Sequence, residues 1–406
     1  MVDKLESLFE RYISESSIFI NRDVLSHDFI PSQLPHREGE ILRLGSILAP
    51  SLRRMKCSNI FVYGKTGTGK TAVSKYVLSR LLKKSEEVGG YVRVCYVNCR
   101  VAGTEYRVTA ALCSFLGVNI PFTGLSTAEV LSRFAIRLRE VKAYLITVLD
   151  EVDVLVKGYG DRLLYELTRI NENLGVGRVT LVGISNDLYF KELLDPRVLS
   201  SLSEEEVVFK PYTASQLKDI LLQRAKLAFK PSALTDSAVN LCAALAASEH
   251  GDARRALDLL RVAGELAERD NAERVKDCHV MEAQKRIEHD RVFEVLSSLP
   301  LHSKIILHTL YSAEKRGKRG LTTGELYNKY TLTCSQLGVE SLTSRRIGGL
   351  LNELDMLGVV NAQITNLGRH GRTKQIKIKV PTNILEKAFR EDIYLGNLSQ
   401  LKHRVE

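Results

Sequence analysis

The chain has 406 residues, of which 44% are hydrophobic and 26% are charged, and this length exceeds what one hydrophobic core usually serves. No apolar run reaches the roughly 18 residues that a membrane-spanning helix needs. The N-terminal stretch Met1–Glu10 lacks the basic, apolar and small-residue order of a secretory signal. We therefore expect several domains in a cytoplasmic protein that does not enter a membrane.

The positive charge is concentrated near the C-terminus. The net charge is +10, and residues 299–406 carry 17 Lys and Arg residues against nine Asp and Glu residues. Such an asymmetry favours an anionic polymer as the partner of the C-terminal part. The alternative is a basic segment that is only solvated.

Residues 1–35 are predicted to form a leader. It begins with a short helix to about Ser14 and continues as an extended segment interrupted by Pro31 and Pro35. A helix is then predicted from about His36 to Ala49.

The next stretch fits the phosphate-binding template G-x-x-x-x-G-K-[ST]. The apolar run Ile60–Tyr63 precedes it as a predicted buried strand, and apolar residues at helical spacing follow it. Glycines let backbone N–H groups surround phosphates at a helix N-terminus. We expect ATP or ADP here, with Lys70 at the outer phosphates and Thr71 offering its hydroxyl to Mg²⁺. The loop consists of Gly64, Lys65, Thr66, Gly67, Thr68, Gly69, Lys70 and Thr71.

The element before the first core strand closes over the adenine in many nucleotide-switch ATPases. His36 and Arg37 are therefore candidates for contact with the base, and a charged helix start is the alternative.

Candidate strands alternate with helices, which predicts a parallel sheet covered on both faces, with ligands at its carboxyl edge. The third strand delivers Asp150 and Glu151 to that edge. Asp150 is predicted to hold Mg²⁺, and Glu151 to polarise the attacking water. A helix cap is the alternative for this pair. The predicted strands are Ile60–Tyr63, Tyr91–Asn98, Tyr144–Leu149, Val179–Ser185 and Glu206–Phe209.

Two further residues are candidates for the hydrolysis step. Asn186, after the fourth strand, is placed to orient the attacking water, and an Asx turn is its alternative. Arg197 follows a proline turn on the surface and is a candidate arginine finger for a neighbouring subunit, or else part of an ordinary surface ion pair.

From Thr213 the pattern changes to four predicted helices without strands. Asp252 is the predicted N-cap of the third helix. Arg254 then projects towards the terminal phosphate and couples nucleotide state to the position of these helices, with Arg255 as the alternative reader. The predicted helices are Ala214–Phe229, Asp236–Glu249, Asp252–Asp270 and Asp277–Ser298.

The last part is predicted to contain three helices and a hairpin, an order that resembles a winged helix-turn-helix. The third helix carries Ser344, Arg345 and Arg346 in its first turn, where contacts with the DNA groove are expected. Its predicted core stripe is Ile347, Leu350, Leu351, Leu354 and Leu357. Gly348 and Gly349 lower helix stability, and the sequence leaves open whether a neighbouring helix or DNA approaches them. The predicted elements are Leu301–Ala313, Thr322–Gly338, Thr343–Gly358 and the hairpin Asn361–Val380.

The hairpin tip is basic and flanked by glycines, and no acidic residue stands between Asn361 and Pro381. Such a tip suits insertion into a minor groove or contact with phosphates. A solvated turn is the alternative. The candidate DNA-binding residues here are Arg369, His370, Arg372 and Lys374.

Together, the glycine loop, the Asp150-Glu151 strand end, the Asn186 and Arg197 segments, the Gly251–Leu257 turn and the winged helix resemble the archaeal replication-initiator family. That family is related to the largest subunit of the eukaryotic origin recognition complex and to the helicase-loading factor. The resemblance implies an AAA+ core with an all-α lid and a C-terminal winged helix. It divides the chain into residues 1–35, 36–212, 213–298, 299–395 and 396–406.

The resemblance also implies a function. It predicts a slow ATPase that switches with ATP, binds double-stranded origin DNA, recruits the replicative helicase and works with paralogous initiators. The family carries a DNA-contacting insertion that matches the loop 118–125 and implicates Pro121, Thr123 and Gly124. No long basic extension precedes the core, which favours an archaeal source.

Two other classes of protein join such a core to further domains. An ATP-gated transcription regulator or signalling ATPase usually appends repeat domains for sensing. A motor or clamp loader requires ring assembly and fast turnover. Neither signature is evident in the sequence, so the initiator is the preferred interpretation.

Overall fold

The computed structural model describes residues 18–175, 177–202, 204–318, 320–366 and 372–396. The helix predicted before Ser14 lies outside these ranges. The chain forms two compact units, Met1–Ala283 and Gln284–Glu406. The boundary between the units falls within one long helix, Asp277–Ser298.

The first unit is built on a five-stranded sheet in the order β2-β3-β4-β1-β5, with every neighbouring pair parallel. The predicted parallel-sheet core is thereby confirmed. Both faces of the sheet are covered by buried apolar side chains. The three central strands are buried over almost their whole length, as expected for a parallel sheet between two layers. The strands are Asn59–Gly64 (β1), Val92–Asn98 (β2), Tyr144–Asp150 (β3), Arg178–Ser185 (β4) and Glu204–Phe209 (β5).

Helices connect the strands, and short 3₁₀ turns cover Arg22–Leu25, Ala49–Arg53 and Phe190–Leu193. The helix predicted from His36 begins at Glu38 and changes to 3₁₀ geometry at Ala49. The helices of this part are Glu38–Leu48 (α1), Lys70–Glu87 (α2), Cys99–Ala102 (α3), Glu105–Phe115 (α4), Thr127–Val141 (α5), Val152–Tyr159 (α6), Arg162–Leu174 (α7) and Pro196–Leu202 (α8).

The all-α lid follows the sheet. Its helices begin at side-chain caps: Thr213 forms a capping box with Gln216, and Thr235 and Asp252 accept from backbone N–H groups of the first turn. The lid helices are Ala214–Ala228 (α9), Asp236–Ser248 (α10), Ala253–Arg269 (α11) and Asp277–Ser298 (α12).

Residues 18–35, which the sequence placed in a leader, pack against the lid. The Ile20 N–H donates to the Ala228 carbonyl at 2.8 Å, and the Lys230 N–H donates to the Ile18 carbonyl at 2.9 Å. The Phe19 ring lies 4.8 Å from that of Phe229. This segment is therefore anchored to the helices that follow the sheet.

The second unit is a winged helix with a three-stranded antiparallel sheet, as the resemblance implied. The stripe of the third helix is buried at Ile347, Leu350, Leu351 and Leu354. Its prediction at Leu357 is wrong: this side chain is 54% exposed, because the helix ends at Met356 and Leu357 is its C-cap. The last helix of this unit, Thr382–Glu391, was not predicted from the sequence. The elements are Leu301–Lys315 (α13), Leu321–Thr322 (β6), Thr323–Leu337 (α14), Ser344–Met356 (α15), Val360–Asn366 (β7), Arg372–Ile378 (β8) and Thr382–Glu391 (α16).

The two glycines of α15 have no internal packing role. A Cβ atom added at Gly348 or at Gly349 meets no heavy atom of the described residues within 4 Å. A neighbouring helix of this chain therefore does not require them.

Gly349→Ala should raise the melting temperature of the second unit. Alanine stabilises a helix interior by about 1 kcal/mol relative to glycine, and the space for its methyl group is open. Scanning calorimetry measures the change. Gly264→Ala in α11 is the matched control and should destabilise the first unit, because its Cβ would lie 2.4 Å from the Phe19 ring. A lower melting temperature for Gly349→Ala would contradict the open space.

Candidate nucleotide site and nucleic-acid interface

The glycine loop joins β1 to α2, and Lys70 is the first residue of that helix. The Lys70 side chain is only 4% exposed, and its Nζ donates to the carbonyls of Gly64 and Lys65 at 2.7 Å each. Burial, and then the nearby Arg254 cation, lower the pKa of Lys70 to about 8. Two cations close together in one cleft favour an anion as the ligand.

Glycine is required at two positions of the loop for different reasons. A Cβ at Gly64 would lie 2.6 Å from the Phe209 carbonyl oxygen, so the close approach of β5 excludes any side chain. Gly67 has φ +68°, and a Cβ there would lie 1.6 Å from Asp252 Oδ1. The glycines of the template are therefore needed for the close contacts of the loop with both the sheet and the lid.

The predicted magnesium ligands lie together. Thr71 Oγ1 donates to Asp150 Oδ2 at 3.0 Å, and the Glu151 N–H donates to Asp150 Oδ1 at 2.9 Å. The buried Asp150 carboxylate and the half-buried Thr71 hydroxyl supply the hard oxygen ligands that Mg²⁺ prefers, so the site fits the ion.

Tyr96 also belongs to this group, and the sequence did not identify it. Its hydroxyl donates to Asp150 Oδ2, the oxygen that Thr71 contacts. Burial, together with the Asp150 carboxylate, raises the pKa of Tyr96, so the phenol remains a donor. The parallel pairing of Asn98 with Asp150 brings the ends of β2 and β3 together.

The two candidates for water activation line the same cleft. Glu151 adopts the left-handed conformation, with φ 54°, and its carboxylate forms an ion pair with Arg100 from α3. The Asn186 N–H donates to Asp153 Oδ1 at 3.3 Å. Asn186, the residue that follows β4, therefore lies beside the Asp150–Asp153 segment.

These groups surround a cavity of about 480 Å³. The glycine loop and the acidic strand end form one part of its wall. Other parts of the wall come from most residues of the segment 26–35 and from the lid residues Ile220, Gln223, Arg224 and Leu257. No sequence pattern predicted this role for residues 26–35, because an irregular segment shows no periodicity.

The lid closes directly on the glycine loop. The Ala253 N–H donates to the Gly67 carbonyl at 3.1 Å. Asp252 Oδ1 caps α11 by accepting from the N–H groups of Arg254 at 2.7 Å and Arg255 at 3.2 Å. The Arg254 residue lines the cavity.

The alternative reader, Arg255, takes another partner. Its Nε donates to Glu249 at 2.9 Å, and Arg255 is not among the residues that line the cavity. The arrangement therefore favours Arg254.

His36 and Arg37 are likewise not among the residues that line the cavity. Arg37 is buried under the glycine loop, where its Nε donates to the Thr68 carbonyl at 3.1 Å and its guanidinium stacks 4.0 Å from the centre of the Tyr212 ring. His36 Nε2 lies 2.8 Å from Asp219 Oδ2. Their contact with adenine remains a prediction. In the structure, Arg37 stabilises the glycine loop through its hydrogen bond to the Thr68 carbonyl.

Arg197 is 86% exposed, and its Nε lies 3.5 Å from Asp195 Oδ1. It does not line the cavity of its own chain. A role as an arginine finger towards another subunit remains a prediction.

The loop between α4 and α5 presents the predicted DNA-contacting residues Pro121, Thr123 and Gly124, all exposed. The Tyr106 hydroxyl donates to the Pro121 carbonyl and fixes the base of the loop. Phe122, which the sequence did not single out, is 96% exposed.

The second predicted DNA surface is the start of α15. Ser344, Arg345 and Arg346 are exposed there, and Thr343 caps the helix. From β8, Lys374 Nζ donates to Asn352 Oδ1 on α15 at 2.7 Å.

The structure describes only part of the predicted hairpin tip. Arg369 and His370 lie outside the described residues. Arg372 begins β8 in the backbone, but its side chain is outside the description.

None of the helices in the described ranges has the length and apolarity needed to span a bilayer.

A parallel-sheet nucleotide core, a helical lid that closes on its glycine loop and a winged helix define an AAA+ ATPase joined to a DNA-binding module. Three family models match in that order: an AAA domain over residues 53–190, the Cdc6 AAA+ ATPase-type lid domain over 218–285 and the CDC6 C-terminal winged helix domain over 294–388.

The whole chain is similar to archaeal replication proteins. It is 50% identical to the ORC1-type DNA replication protein of Thermococcus kodakarensis over 96% of this chain and 95% of the relative. It is 52% identical to the ORC1-type DNA replication protein 1 of Sulfurisphaera tokodaii, over 93% and 94%. The solved structure of the Aeropyrum pernix ORC1 protein in complex with DNA matches with a TM-score of 0.84 and 50% identity, over 95% of this chain and all of that one. The chain belongs to the ORC1-type family of DNA replication initiators.

Gly67→Ala should weaken ATP binding by about tenfold or more. The new Cβ would overlap Asp252 and strain a left-handed residue, which alone costs on the order of 1–3 kcal/mol. Titration with a fluorescent ATP analogue measures the loss.

Asp252→Ala tests whether this overlap is the cause. The single variant should cost about 1 kcal/mol of helix-cap stability. In the Gly67→Ala background it should instead restore part of the affinity, because the overlapping carboxylate is gone. Strictly additive losses would show that the lid and the loop are not in contact in solution.

Proposed function

We propose that the protein is an ATP-dependent replication initiator that binds double-stranded origin DNA and helps to recruit the replicative helicase. The observation that carries this proposal is the lid's contact with the phosphate loop, through Ala253 and Gly67, beside a cleft with two cations. This arrangement makes the position of the lid depend on the ligand between them.

In the proposed complex, the triphosphate lies along the glycine loop. Lys70 and Arg254 balance its charge from the core and from the lid. Thr71 and Asp150 hold Mg²⁺, which neutralises phosphate oxygens when it is bound. Tyr96 keeps the Asp150 carboxylate oriented through its hydrogen bond.

Hydrolysis in this proposal is slow and serves to reset the switch. Glu151 acts as general base and Asn186 orients the attacking water. The ion pair with the exposed Arg100 uses Glu151 Oε2 and leaves Oε1 to polarise the water in this proposal. An arginine finger from a paralogous initiator, equivalent to Arg197, would complete the site.

DNA binding in this proposal uses both exposed basic and apolar surfaces. The first turn of α15 enters the major groove with Arg345 and Arg346, and the loop 118–125 makes a second contact. The 50% identity to a protein whose structure contains DNA supports this assignment. The open space above Gly348 and Gly349 suits the approach of a DNA backbone.

Glu151→Gln should retain ATP and lose at least about 100-fold in turnover, the usual contribution of a general base. Phosphate release measures turnover, and a fluorescent ATP analogue measures binding. Glu249→Gln is the matched control, since its carboxylate pairs with Arg255 outside the cavity and its loss should leave turnover unchanged. Unchanged turnover in Glu151→Gln would remove this residue as the base.

Genome-wide crosslinking and sequencing of DNA bound by the protein in its own cells tests the function. We expect peaks confined to replication start sites. Peaks spread over promoters, with none at start sites, would make an ATP-gated transcription regulator the better account.

A variant with both Arg345→Ala and Arg346→Ala is the comparator in the same cells. It should lose most of the peaks, because phosphate and base contacts from α15 are removed. The paired substitutions Lys387→Ala and Arg390→Ala in α16 remove the same charge elsewhere in the winged helix and should leave the peaks in place.

A further inference from the structure

Arg224 is a buried cation that the proposed chemistry does not use. It lies on α9, and its side chain is 7% exposed. One guanidinium nitrogen, Nη1, donates to the Val24 carbonyl at 3.2 Å, and the other, Nη2, donates to the Phe29 carbonyl at 3.0 Å. The guanidinium carbon also lies 4.7 Å from the centre of the Phe29 ring.

This charge has no carboxylate partner among the described residues. Burial lowers the pKa of Arg224 to about 10. A buried charge without a counter-ion is costly unless its donors are satisfied by oxygen atoms. Here those oxygens belong to the main chain of the segment before α1, so the interaction orders that segment.

The ordered segment forms part of the nucleotide cavity. The phosphate loop forms a different part of the wall. To distinguish residues Ser26–Pro35 from that loop, we call them the base strap. Arg224 and the strap residues Phe29, Ile30, Pro31 and Leu34 line the cavity together with the lid residues Ile220 and Leu257. Apolar walls of this kind suit the faces of a purine ring.

The Arg224 guanidinium has more N–H donors than its two hydrogen bonds to carbonyls use. It carries five N–H groups in a fixed planar fork, and the two bonds to carbonyls engage one nitrogen each. A lysine offers neither the fork nor the flat surface that stacks on Phe29. The geometry therefore requires arginine at this position.

We propose that Arg224 is the positioning residue of the nucleoside end of the site, where it holds the base strap against the lid so that the strap and the lid grip the adenine and ribose. This inference rests on the proposed nucleotide site. Its new element is the role of Arg224, which orders the cavity wall away from the glycine loop.

The test compares two ligands that share the phosphates and differ in the nucleoside. Calorimetric titration of the full chain with ATP and with inorganic tripolyphosphate, both in the same Mg²⁺ buffer, gives two dissociation constants for each variant. Arg224→Met, which keeps the length of the side chain and removes its donors, should weaken ATP binding by about tenfold or more and leave tripolyphosphate binding within about twofold. Arg224→Lys should restore only part of the ATP affinity.

A second variant and a control keep the test decisive if Arg224→Met folds poorly. Phe29→Ala removes the stacked ring without touching the lid core and should reproduce the selective loss of ATP affinity. Arg255→Met removes another lid arginine, one that is paired with Glu249, and should change neither constant.

Two results would overturn the inference: an ATP affinity of Arg224→Met and Phe29→Ala equal to that of the wild type, or an equal loss for ATP and tripolyphosphate. Failure of the proposed nucleotide site has a different signature, because the wild type itself would then bind neither ligand.

Discussion

The cleft between core and lid brings two cations together, Lys70 from the core and Arg254 from the lid. Burial, and then the nearby Arg254, lower the pKa of Lys70, whereas the carboxylates of Asp150, Asp153 and Asp252 raise it. A polyphosphate anion between them would offset their repulsion. Because Lys70 belongs to the core and Arg254 to the lid, the same anion would link the two elements thermodynamically.

Closure does not depend on the anion alone. The first N–H of α11 reaches the Gly67 carbonyl, and the cap of that helix lies against Gly67 itself. The glycine is thus required as much by the lid as by a phosphate. The lid is therefore held against the loop in part by the protein itself.

Much of the fold could be predicted from the sequence, because it is written in local patterns. Apolar runs located the strands, the glycine template located the loop, and helical spacing predicted the buried Ile347, Leu350, Leu351 and Leu354. The side chains that escaped prediction act over long separations in sequence. The Tyr96 hydroxyl on β2 contacts Asp150 at the end of the neighbouring strand β3. Arg224, which follows the sheet in the chain, contacts Phe29, which precedes it. Periodicity carries no information about such pairs.

Two buried arginines show why residues before α1 are more than a leader. Arg224 fixes Val24 and Phe29 to the lid, whereas Arg37 fixes the start of α1 to the glycine loop. Any rotation of the lid relative to the sheet must therefore be absorbed by the backbone between Phe29 and Arg37. His36, in the left-handed region with φ 63°, lies at the end of that stretch. The stretch is also part of the cavity wall, so a nucleotide that orders it also restricts the rotation.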